Sequence, residues 1–364
     1  MKIVYFLDLP SGPHSGVGEK VLAQTDVWVR LGHDVLIVVI TPIQHFDAWE
    51  SVTDKGLIKV ISYRSTIKRI VGRIRSSLFI WHLSKSENIL LYLRLSLMTP
   101  DQIALLTSVP YFIEVNADVL FEYKMRKLRL VHFIYRLIEG KVMQGAKGTF
   151  FVTSELRKIY CNRYLLENAE VITNGISLDS NQSISLNFSY DLVFLATDIL
   201  PWHGFDKIIK IVEHNPSLNF MVITKSPLSE NLFQETSKLK NITTFSALSA
   251  QEIERLVKGS VAGISSLSID VSGLTETADL KTRYYLSRGL PVVSAFKDSA
   301  FETNSKLFLM ISDLNLDSRN VNLQQFITYW KSRRVKISQL EVIDIGKLEA
   351  KRLATIEGAM TLLS

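Results

Sequence analysis

Three glycines near the amino terminus are the first residues whose spacing could do chemistry. They are Gly12, Gly16 and Gly18, with His14 between them. A phosphate can approach a backbone that lacks Cβ atoms, and a following helix would present its positive end to that phosphate. The spacing is not the dinucleotide-binding G-x-G-x-x-G, and no P-loop lysine follows. The glycines therefore indicate either a phosphate-binding loop or a simple turn.

The elements around this loop predict a parallel sheet. A β-branched and aromatic run at 2–7 precedes the loop, and a segment with helical periodicity follows it and ends at Gly32. The continuous apolar run 35–40 is typical of a strand buried on both faces. The runs 111–115 and 149–152 predict two more buried strands. The first half of the chain is thus predicted to be α/β, opened by a βαβ unit.

A polar stretch at 177–183 predicts a linker near the midpoint, after which the same pattern restarts. The predicted elements are a strand at 191–196, a helix at 205–214, a strand at 219–224, a helix capped by Ser249 and Glu252, a strand at 261–264 and a helix at 280–288. We predict two Rossmann-like domains, 1–176 and 177–345, facing each other across a ligand cleft. A C-terminal helix at 346–364 could pack back on the first domain.

The composition excludes several classes of protein. With 364 residues, of which 47% are hydrophobic and 21% charged, the chain can form two folded domains. Its single cysteine, Cys161, excludes an internal disulfide and a multi-cysteine zinc site and favours a reducing compartment. No apolar run reaches the ~18–20 residues of a membrane span, and a signal-peptide pattern is lacking. We expect a cytoplasmic protein, and the net charge of +6 favours an anionic partner.

Several short motifs resemble those of family 4-like GT-B glycosyltransferases. Residues 280–293, LKTRYYLSRGLPVV, resemble the donor-site helix of that family and the Gly-x-Pro-Val-Val turn after it. Residues 201–206, PWHGFD, are similar to its Trp-x-Gly-hydrophobic-Asp element. Residues 172–176 are similar to its Asn-Gly-Ile, and 114–116 to a Glu-Val-Asn element of some members. The motifs follow the family's order along most of the chain, so the resemblance implies the GT-B fold.

The resemblance also implies an activity. It is the transfer of a sugar from a nucleotide-sugar donor, with a UDP-sugar favoured, to a glycan or lipid-linked oligosaccharide. The product would belong to a surface polysaccharide such as O-antigen, lipopolysaccharide, capsule or exopolysaccharide. Enzymes of this kind are implied to be retaining and metal-independent, and no Asp-x-Asp pair stands in a metal-binding context. No metal and no cofactor besides the donor is expected.

The donor site departs from the family in two places. The pattern of glutamate, seven residues and glutamate starts at Glu276 but ends at Tyr284. A tyrosine hydroxyl makes fewer hydrogen bonds than a carboxylate, so ribose binding must be rebuilt, and Lys281 is the nearest compensating group. The diphosphate-binding arginine is also missing from the loop 197–201. Lys225 and Lys281 are the candidate substitutes for neutralising the leaving diphosphate.

The family resemblance and the chemistry of the side chains define two sets of candidate site residues. The donor-binding candidates are Gly16, Gly18, Trp202, His203, Lys225, Thr277, Lys281 and Tyr284. The catalytic candidates are Glu276, which would orient the sugar, and Glu114, Asn116 and His14, which could serve the acceptor hydroxyl. Trp202 and His203 could equally pack their loop, and Asn116 could cap a turn. In a retaining mechanism the leaving phosphate could itself accept the proton.

Two basic segments in the first domain indicate a membrane partner. Cations alternate with large apolar residues at 63–82 and again at 124–130. These cations would face an anionic membrane surface or a lipid-linked diphosphate acceptor. The protein would then be peripheral at the inner face of the membrane. The alternative is that both segments are solvated helix faces. No DNA-binding or RNA-binding module is recognisable, so no nucleic acid partner is expected.

Two alternatives to the transferase stay open. An epimerase with the same fold would act on the nucleotide sugar without an acceptor. A non-catalytic partner subunit would keep the fold and lose the chemistry, as Tyr284 and the missing arginine could indicate.

Overall fold

The chain folds into two units, each built around its own parallel sheet and its own apolar core. The computed structural model describes residues 2–361 apart from 53–56, 97, 99, 126, 179–186, 302–304 and 312–319. One unit comprises residues 1–175 and 345–364, and the other comprises residues 176–344. Most of the predicted linker, residues 179–183, lies outside the described residues.

The sheet of the first unit has seven parallel strands. They are β1 (Lys2–Asp8), β2 (Asp34–Pro42), β3 (Leu57–Tyr63), β4 (Ile89–Arg94), β5 (Tyr111–Val115), β6 (Gly148–Phe151) and β7 (Ala169–Val171). Their order is β3-β2-β1-β4-β5-β6-β7. The chain adds β2 and β3 on one side of β1 and then β4 to β7 on the other side, so the strand order reverses between β1 and β4. The side chains of 35–41 in β2 are all buried, which explains the uninterrupted apolar run in the sequence.

In the described residues of this unit, seven α-helices connect these strands. They are α1 (Gly16–Arg30), α2 (Phe46–Glu50), α3 (Thr66–Ser86), α4 (Pro100–Leu106), α5 (Val119–Met125), α6 (Arg129–Gly145) and α7 (Ser154–Tyr164). Side-chain caps fix where several of them begin. Ser15 caps α1, Ser65 caps α3 and Thr153 caps α7, each by accepting a hydrogen bond from a first-turn N–H group. Such caps satisfy donors that have no partner inside the helix.

The second unit repeats the design with a six-stranded parallel sheet. Its strands are β8 (Tyr190–Ala196), β9 (Phe220–Thr224), β10 (Ile242–Ser246), β11 (Ser260–Ile264), β13 (Val292–Ser294) and β15 (Phe308–Met310), and a separate pair is formed by β12 (Glu276–Thr277) and β14 (Lys297–Asp298). The order in the sheet is β10-β9-β8-β11-β13-β15. The direction therefore reverses between β8 and β11, as it does between β1 and β4 in the first unit.

The helices of the second unit are α8 (Phe205–His214), α9 (Glu230–Ser237), α10 (Ala250–Lys258), α11 (Leu280–Ser287) and α12 (Asn320–Trp330). The predicted capping box is confirmed, since Ser249 and Glu252 bond to each other's backbone N–H groups at the start of α10. Gly263 in β11 lets α11 approach closely, because a Cβ there would lie 2.2 Å from the ring of Tyr285.

The last helix, α13 (Ile345–Thr361), returns to the first unit and packs against α1. Trp28 of α1 donates its ring N–H to Glu349 of α13 at 2.9 Å. Leu353 and Ile356 join the apolar core of the first unit. The chain thus leaves the first unit at Gly175 and re-enters it at Ile345.

Candidate functional site

The carboxyl ends of β8 and β11 mark the candidate site of the second unit. In open parallel sheets, ligands bind where the strand order reverses, because the loops after the two strands diverge there. The loop 197–204 follows β8, and residues 265–268 follow β11. Two backbone bonds join these loops, from Leu267 to the carbonyl of His203 (3.0 Å) and from Ser268 to that of Trp202 (3.1 Å).

His203 and Gly204 hold the loop after β8 in shape. His203 is buried, its Nδ1 accepts the backbone N–H of Leu200 at 3.1 Å, and its ring packs 5.6 Å from that of Phe194. Gly204 has a φ of +64°, and a Cβ there would lie 2.7 Å from Oγ of Ser268. These contacts support the packing interpretation of His203. Burial, together with the charge of Lys281, lowers the pKa of His203 to about 4, so the ring is neutral near pH 7.

Lys281 has a largely buried ammonium without a hydrogen-bond partner among the described residues. Its side chain is 10% exposed, and its Nζ lies 4.7 Å from the ring centre of Phe194 and 3.9 Å from Oδ2 of Asp279. Within the described part of the chain, Nζ has no hydrogen-bond partner. Burial lowers the pKa of Lys281, and the carboxylate of Asp279 partly offsets this. A buried ammonium with three unused donors is well suited to bind the oxygens of an anion.

Asp279 anchors the start of the helix that bears Lys281. Its carboxylate caps α11 by accepting the backbone N–H of Lys281 at 3.2 Å. It also accepts the hydroxyls of Ser266 (2.9 Å) and Ser265 (3.3 Å), and Thr282 donates to Ser265 at 3.0 Å. Burial alone would raise the pKa of Asp279, but Lys281 and these donors hold it below its usual value. The serines after β11 therefore fix Asp279, and Asp279 fixes Lys281.

Glu276 and Thr277 lie on β12, immediately before this cap. Glu276 is 18% exposed, and its Oε1 lies 3.9 Å from Nζ of Lys297 on β14. Beneath this pair of strands, Arg283 of α11 binds Asp298 of β14 through two hydrogen bonds, with both side chains buried. The ion pair connects the strand pair to α11, so the structure brings Glu276 and Thr277 to the same end of that helix as Lys281.

Tyr284 is tied to a carboxylate on the neighbouring helix. Its hydroxyl donates to Oε2 of Glu254 in α10 at 3.0 Å, and Nε of Arg288 donates to the same oxygen at 2.9 Å. The guanidinium of Arg288 stacks 3.7 Å from the centre of the tyrosine ring. Where the family resemblance implies a glutamate, the structure thus has a tyrosine bonded to a glutamate. Glu254 was missed in the sequence because it is remote from the motif.

Lys225 follows β9, next to β8 in the sheet. Its backbone N–H bonds to the carbonyl of Thr197 at 3.1 Å, and its side chain is exposed. It therefore stands at the same edge of the sheet as the loop after β8.

The glycine loop of the first unit is shaped by its own backbone. Ser15 accepts the N–H of Gly18 at 3.2 Å, and a Cβ on Gly18 would lie 2.5 Å from the carbonyl of Pro13. Gly16 is the exposed first residue of α1, and His14 is exposed in the loop before it. Gly18 therefore has a packing reason to be glycine, and the loop leaves His14 and the start of α1 accessible.

Glu114, a predicted candidate for the acceptor base, is a buried carboxylate within a network of ion pairs. Its side chain is 1% exposed and bonds to Lys20, while Arg352 lies 3.5 Å and Arg94 3.8 Å away. Burial alone would raise the pKa of Glu114, but these three cations outweigh it and hold the pKa well below its usual range. A carboxylate so engaged neither reaches an acceptor nor takes a proton near pH 7.

Asn116 belongs to the same network, with partial exposure. Its amide donates to Glu114 at 2.7 Å and accepts from Lys20 at 3.3 Å. Asp118 caps the start of α5 and pairs with Arg163 at 2.6 Å. Of the predicted acceptor candidates, only His14 and part of Asn116 are accessible in this unit.

Sequence reasoning missed the supporting polar residues around Lys281, namely Asp279, Ser265 and Ser266. Asp279 one residue before a predicted helix is a recognisable N-cap signal, and two serines directly after a buried strand are a recognisable signal of a site edge. Among the described residues, no cluster of three His, Cys, Asp or Glu side chains could hold a metal ion.

The structure is similar along nearly its whole length to solved glycosyltransferases. A glycosyltransferase from Rickettsia africae matches with a TM-score of 0.70 at 11% identity, over 99% of this chain and 98% of that one. Anabaena Alr3699/HepE in complex with UDP-glucose matches with a TM-score of 0.67 at 11% identity, over 98% and 100%. The lipopolysaccharide outer core galactosyltransferase WaaB matches with a TM-score of 0.61 at 10% identity, over 100% of both chains.

No family model and no curated protein matches the chain. The structural matches nonetheless show that it has the GT-B fold, which confirms the predicted fold class of two parallel-sheet α/β domains.

Proposed function

We propose that this chain is a glycosyltransferase that moves a sugar from a nucleotide-sugar donor to a glycan or lipid-linked oligosaccharide. The GT-B fold and the site at the carboxyl ends of β8 and β11 support this function. The Anabaena neighbour was solved with UDP-glucose, which favours a UDP-sugar as the donor here. The neighbour WaaB acts in the lipopolysaccharide outer core, which favours a surface polysaccharide as the product.

The main observation behind this proposal is the ammonium of Lys281, which has no hydrogen-bond partner among the described residues. As a glycosidic bond to a nucleoside diphosphate breaks, negative charge builds up on the leaving phosphate. Lys281 is a buried ammonium whose donors have no hydrogen-bond partner among the described residues, and Asp279 holds its backbone in place. A phosphate oxygen at Nζ would complete its hydrogen bonds and neutralise the developing charge. Lys281 thus takes the role for which the family uses arginine, with exposed Lys225 at the same sheet edge as a second cation.

Glu276 and Tyr284 complete the donor site in this proposal. Glu276 accepts hydroxyls of the sugar, since β12 holds it at the same end of α11 as Lys281. Tyr284, paired with Glu254, meets the ribose in place of the family's second glutamate. Thr277 lies beside Glu276, and the loop of Trp202 and His203 walls the site.

The acceptor is assigned to the first unit, near the accessible His14. With Glu114 locked in ion pairs, the proposed reaction is a retaining transfer in which the leaving phosphate accepts the acceptor proton. The reaction is proposed to need no metal and no further cofactor. A lipid-linked acceptor would bring the chain to the cytoplasmic face of a membrane as a peripheral protein.

Donor binding provides the first test. UDP-, GDP- and dTDP-sugars are screened for thermal stabilisation of the full chain, and the best donor is titrated by calorimetry. Lys281→Met should weaken donor binding roughly tenfold to a hundredfold, because charge-assisted hydrogen bonds contribute about 1.5–3 kcal/mol. Lys210→Met is the matched control, since Lys210 is exposed on α8. If Lys281→Met binds the donor as well as the control does, the assignment of Lys281 fails.

Turnover separates the transferase from its alternatives. Incubation of donor with membrane-extracted acceptors should give a glycosylated product with retained anomeric configuration, with and without EDTA. An epimerase would instead release a free epimerised nucleotide sugar without any acceptor. Binding of the donor without any turnover would favour a non-catalytic partner subunit, which the replacement at Tyr284 makes the second candidate.

A further inference from the structure

The long helix α3 presents large apolar side chains to solvent and mostly small or polar ones to the protein. Its buried residues are Gly72, Arg73, Ser76, Ser77 and Ile80. Its outer face carries a stripe of residues that are 39–75% exposed, namely Ile67, Ile70, Val71, Ile74, Leu78 and Trp81. Helices of soluble proteins normally turn such a stripe inward. In the described part of the chain, no helix is long and apolar enough to cross a membrane, so the stripe does not belong to a span.

A second exposed apolar row lies on α6. Its buried face includes Tyr135, Val142 and Met143. Four large residues at helical spacing occupy the opposite face and are 47–72% exposed, namely Leu130, Phe133, Ile134 and Leu137. The helix therefore has two apolar faces, and the sheet explains only one of them.

The two rows lie on one side of the first unit. The helices α3, α4 and α6 follow β3, β4 and β5, and these crossovers lead to strands that continue in one direction across the sheet. Right-handed crossovers in one direction place their helices on the same face of a sheet. In agreement, α4 contacts both α3 and α6. The outward faces of α3 and α6 thus belong to one surface, which we call the α3–α6 face.

Cations surround this face. The exposed basic residues are Arg64, Lys68, Arg75, Lys85, Lys124, Lys127, Arg129, Arg136 and Lys141. Over the described residues of 64–86 and 119–145, no Asp or Glu is exposed. Arg69 and Arg73, which the sequence interpretation counted as membrane-facing, instead turn inward to Asp8. The exposed Glu87 directly after α3 pairs with Lys2, so the exposed charge of the α3–α6 face is predominantly positive.

We propose that the α3–α6 face docks flat on an anionic phospholipid bilayer, with its apolar rows in the headgroup and acyl boundary and its cations at lipid phosphates. Apolar stripes flanked by Lys and Arg fit such an interface. A second copy of the chain would bring like charges together, and a nucleic acid would leave the isoleucine and leucine side chains without a partner. The docking is independent of the proposed transferase activity, which it would bring to lipid-linked acceptors.

Vesicle binding of the full chain tests this face. The protein should co-sediment with phosphatidylcholine vesicles containing phosphatidylglycerol and only weakly with phosphatidylcholine alone. The double variant Phe133→Ser with Leu137→Ser should lower partitioning by at least about tenfold. Phe233→Ser is the matched control, because Phe233 is 53% exposed on α9 of the second unit. Arg129→Gln should weaken binding about fivefold, the effect of one basic residue near an anionic surface.

Trp81 reports insertion directly. It is exposed on the apolar stripe, while Trp28, Trp49 and Trp330 are buried and Trp202 is half-buried. Anionic vesicles should shift the tryptophan emission to the blue, and Trp81→Phe should abolish the shift while the protein still co-sediments. Brominated lipids should quench the emission of the wild type.

Three results would overturn the proposal. One is wild-type protein that does not sediment with anionic vesicles. Another is that the Phe133→Ser, Leu137→Ser variant still sediments with the vesicles and that 0.5 M salt abolishes this sedimentation completely. That result would mean that the protein adsorbs by charge alone. The third is a wild-type dimer that the apolar variant makes monomeric. Donor binding measured on the same variants keeps this outcome separate from the proposed function, since none of these residues lies in the donor site.

Discussion

One site in each unit buries a charged residue, and the two sites do so differently. In the first, Glu114 lies among Lys20, Arg94 and Arg352, which come from three other elements. In the second, Lys281 is buried with its nearest carboxylate 3.9 Å away and no hydrogen-bond partner in the described structure. A buried charge is tolerated when it is paired and is costly when it is not. The contrast indicates that the first network serves stability and that the second is kept for a ligand.

Removing Arg352 should give the largest effect on stability. Arg352 is fully buried and bonds to Glu349 (2.9 Å) and the hydroxyl of Tyr92 (2.7 Å), near Glu114. Arg352→Met leaves two buried carboxylates short of a cation, which should lower the free energy of unfolding by about 3–5 kcal/mol. Urea unfolding measures the loss, and hydrogen exchange should locate it in β1, β4, β5 and α13.

Lys351→Met on the same helix is the matched control. Lys351 pairs with Glu170 at 2.6 Å, but its side chain is 56% exposed, so its loss should cost at most about 1 kcal/mol. Equal effects of the two variants would contradict the structural role of the buried network.

The neutral histidine of the second unit should make stability depend on pH. The pKa of His203 is about 4 when folded, against an ordinary value of 6.5, so the unfolded chain binds the proton more tightly. The stabilisation that comes from keeping this ring neutral is complete above pH 6.5 and is lost as the pH falls toward 4. At pH 4 the loss of unfolding free energy is about 3 kcal/mol. His203→Asn, which keeps an acceptor near the N–H of Leu200, should show a smaller loss over that range.

Unfolding free energies of wild type and variant at several pH values between 4 and 7 provide the measurement. His82→Asn is the control, because His82 is exposed on α3 of the first unit. A variant curve parallel to that of the wild type would show that the imidazole of His203 is not the titrating group.

The strands and the fold could be predicted from the sequence because both depend on local pattern. A strand buried on both faces must be apolar throughout, so the run 35–40 identifies β2. The cap formed by Ser249 and Glu252 likewise fixes the start of α10, and the helix predicted at 205–214 is α8. The repetition of this pattern in both halves predicted two parallel-sheet domains, and the motifs that resemble the family implied the GT-B fold.

The role of Glu114 could not be predicted, because it depends on residues far away along the chain. Lys20 lies 94 positions earlier, and Arg352 comes from the returning C-terminal helix. Local pattern gives only a polar residue at a strand end, where a catalytic group would also stand. The hydrogen bond between Tyr284 and Glu254 on another helix could not be predicted for the same reason.

Removing the ammonium of Lys281 should have the smallest effect on stability, and comparing it with the removal of Lys20 tests the difference between the two sites directly. Lys281→Met keeps a flexible apolar chain over the ring of Phe194 and removes a cation whose burial is not repaid by hydrogen bonds. The variant leaves Asp279 without its nearby cation, but the carboxylate keeps the hydroxyls of Ser265 and Ser266 and the backbone N–H of residue 281, so the free energy of unfolding should fall by only about 1 kcal/mol. Lys20→Met, measured beside it by urea unfolding, should cost about 3 kcal/mol or more, since Glu114 loses its bonded partner. If both lysines proved equally important for stability, Lys281 would be one more structural cation, and the contrast between the network of Glu114 and the site of Lys281 would not hold.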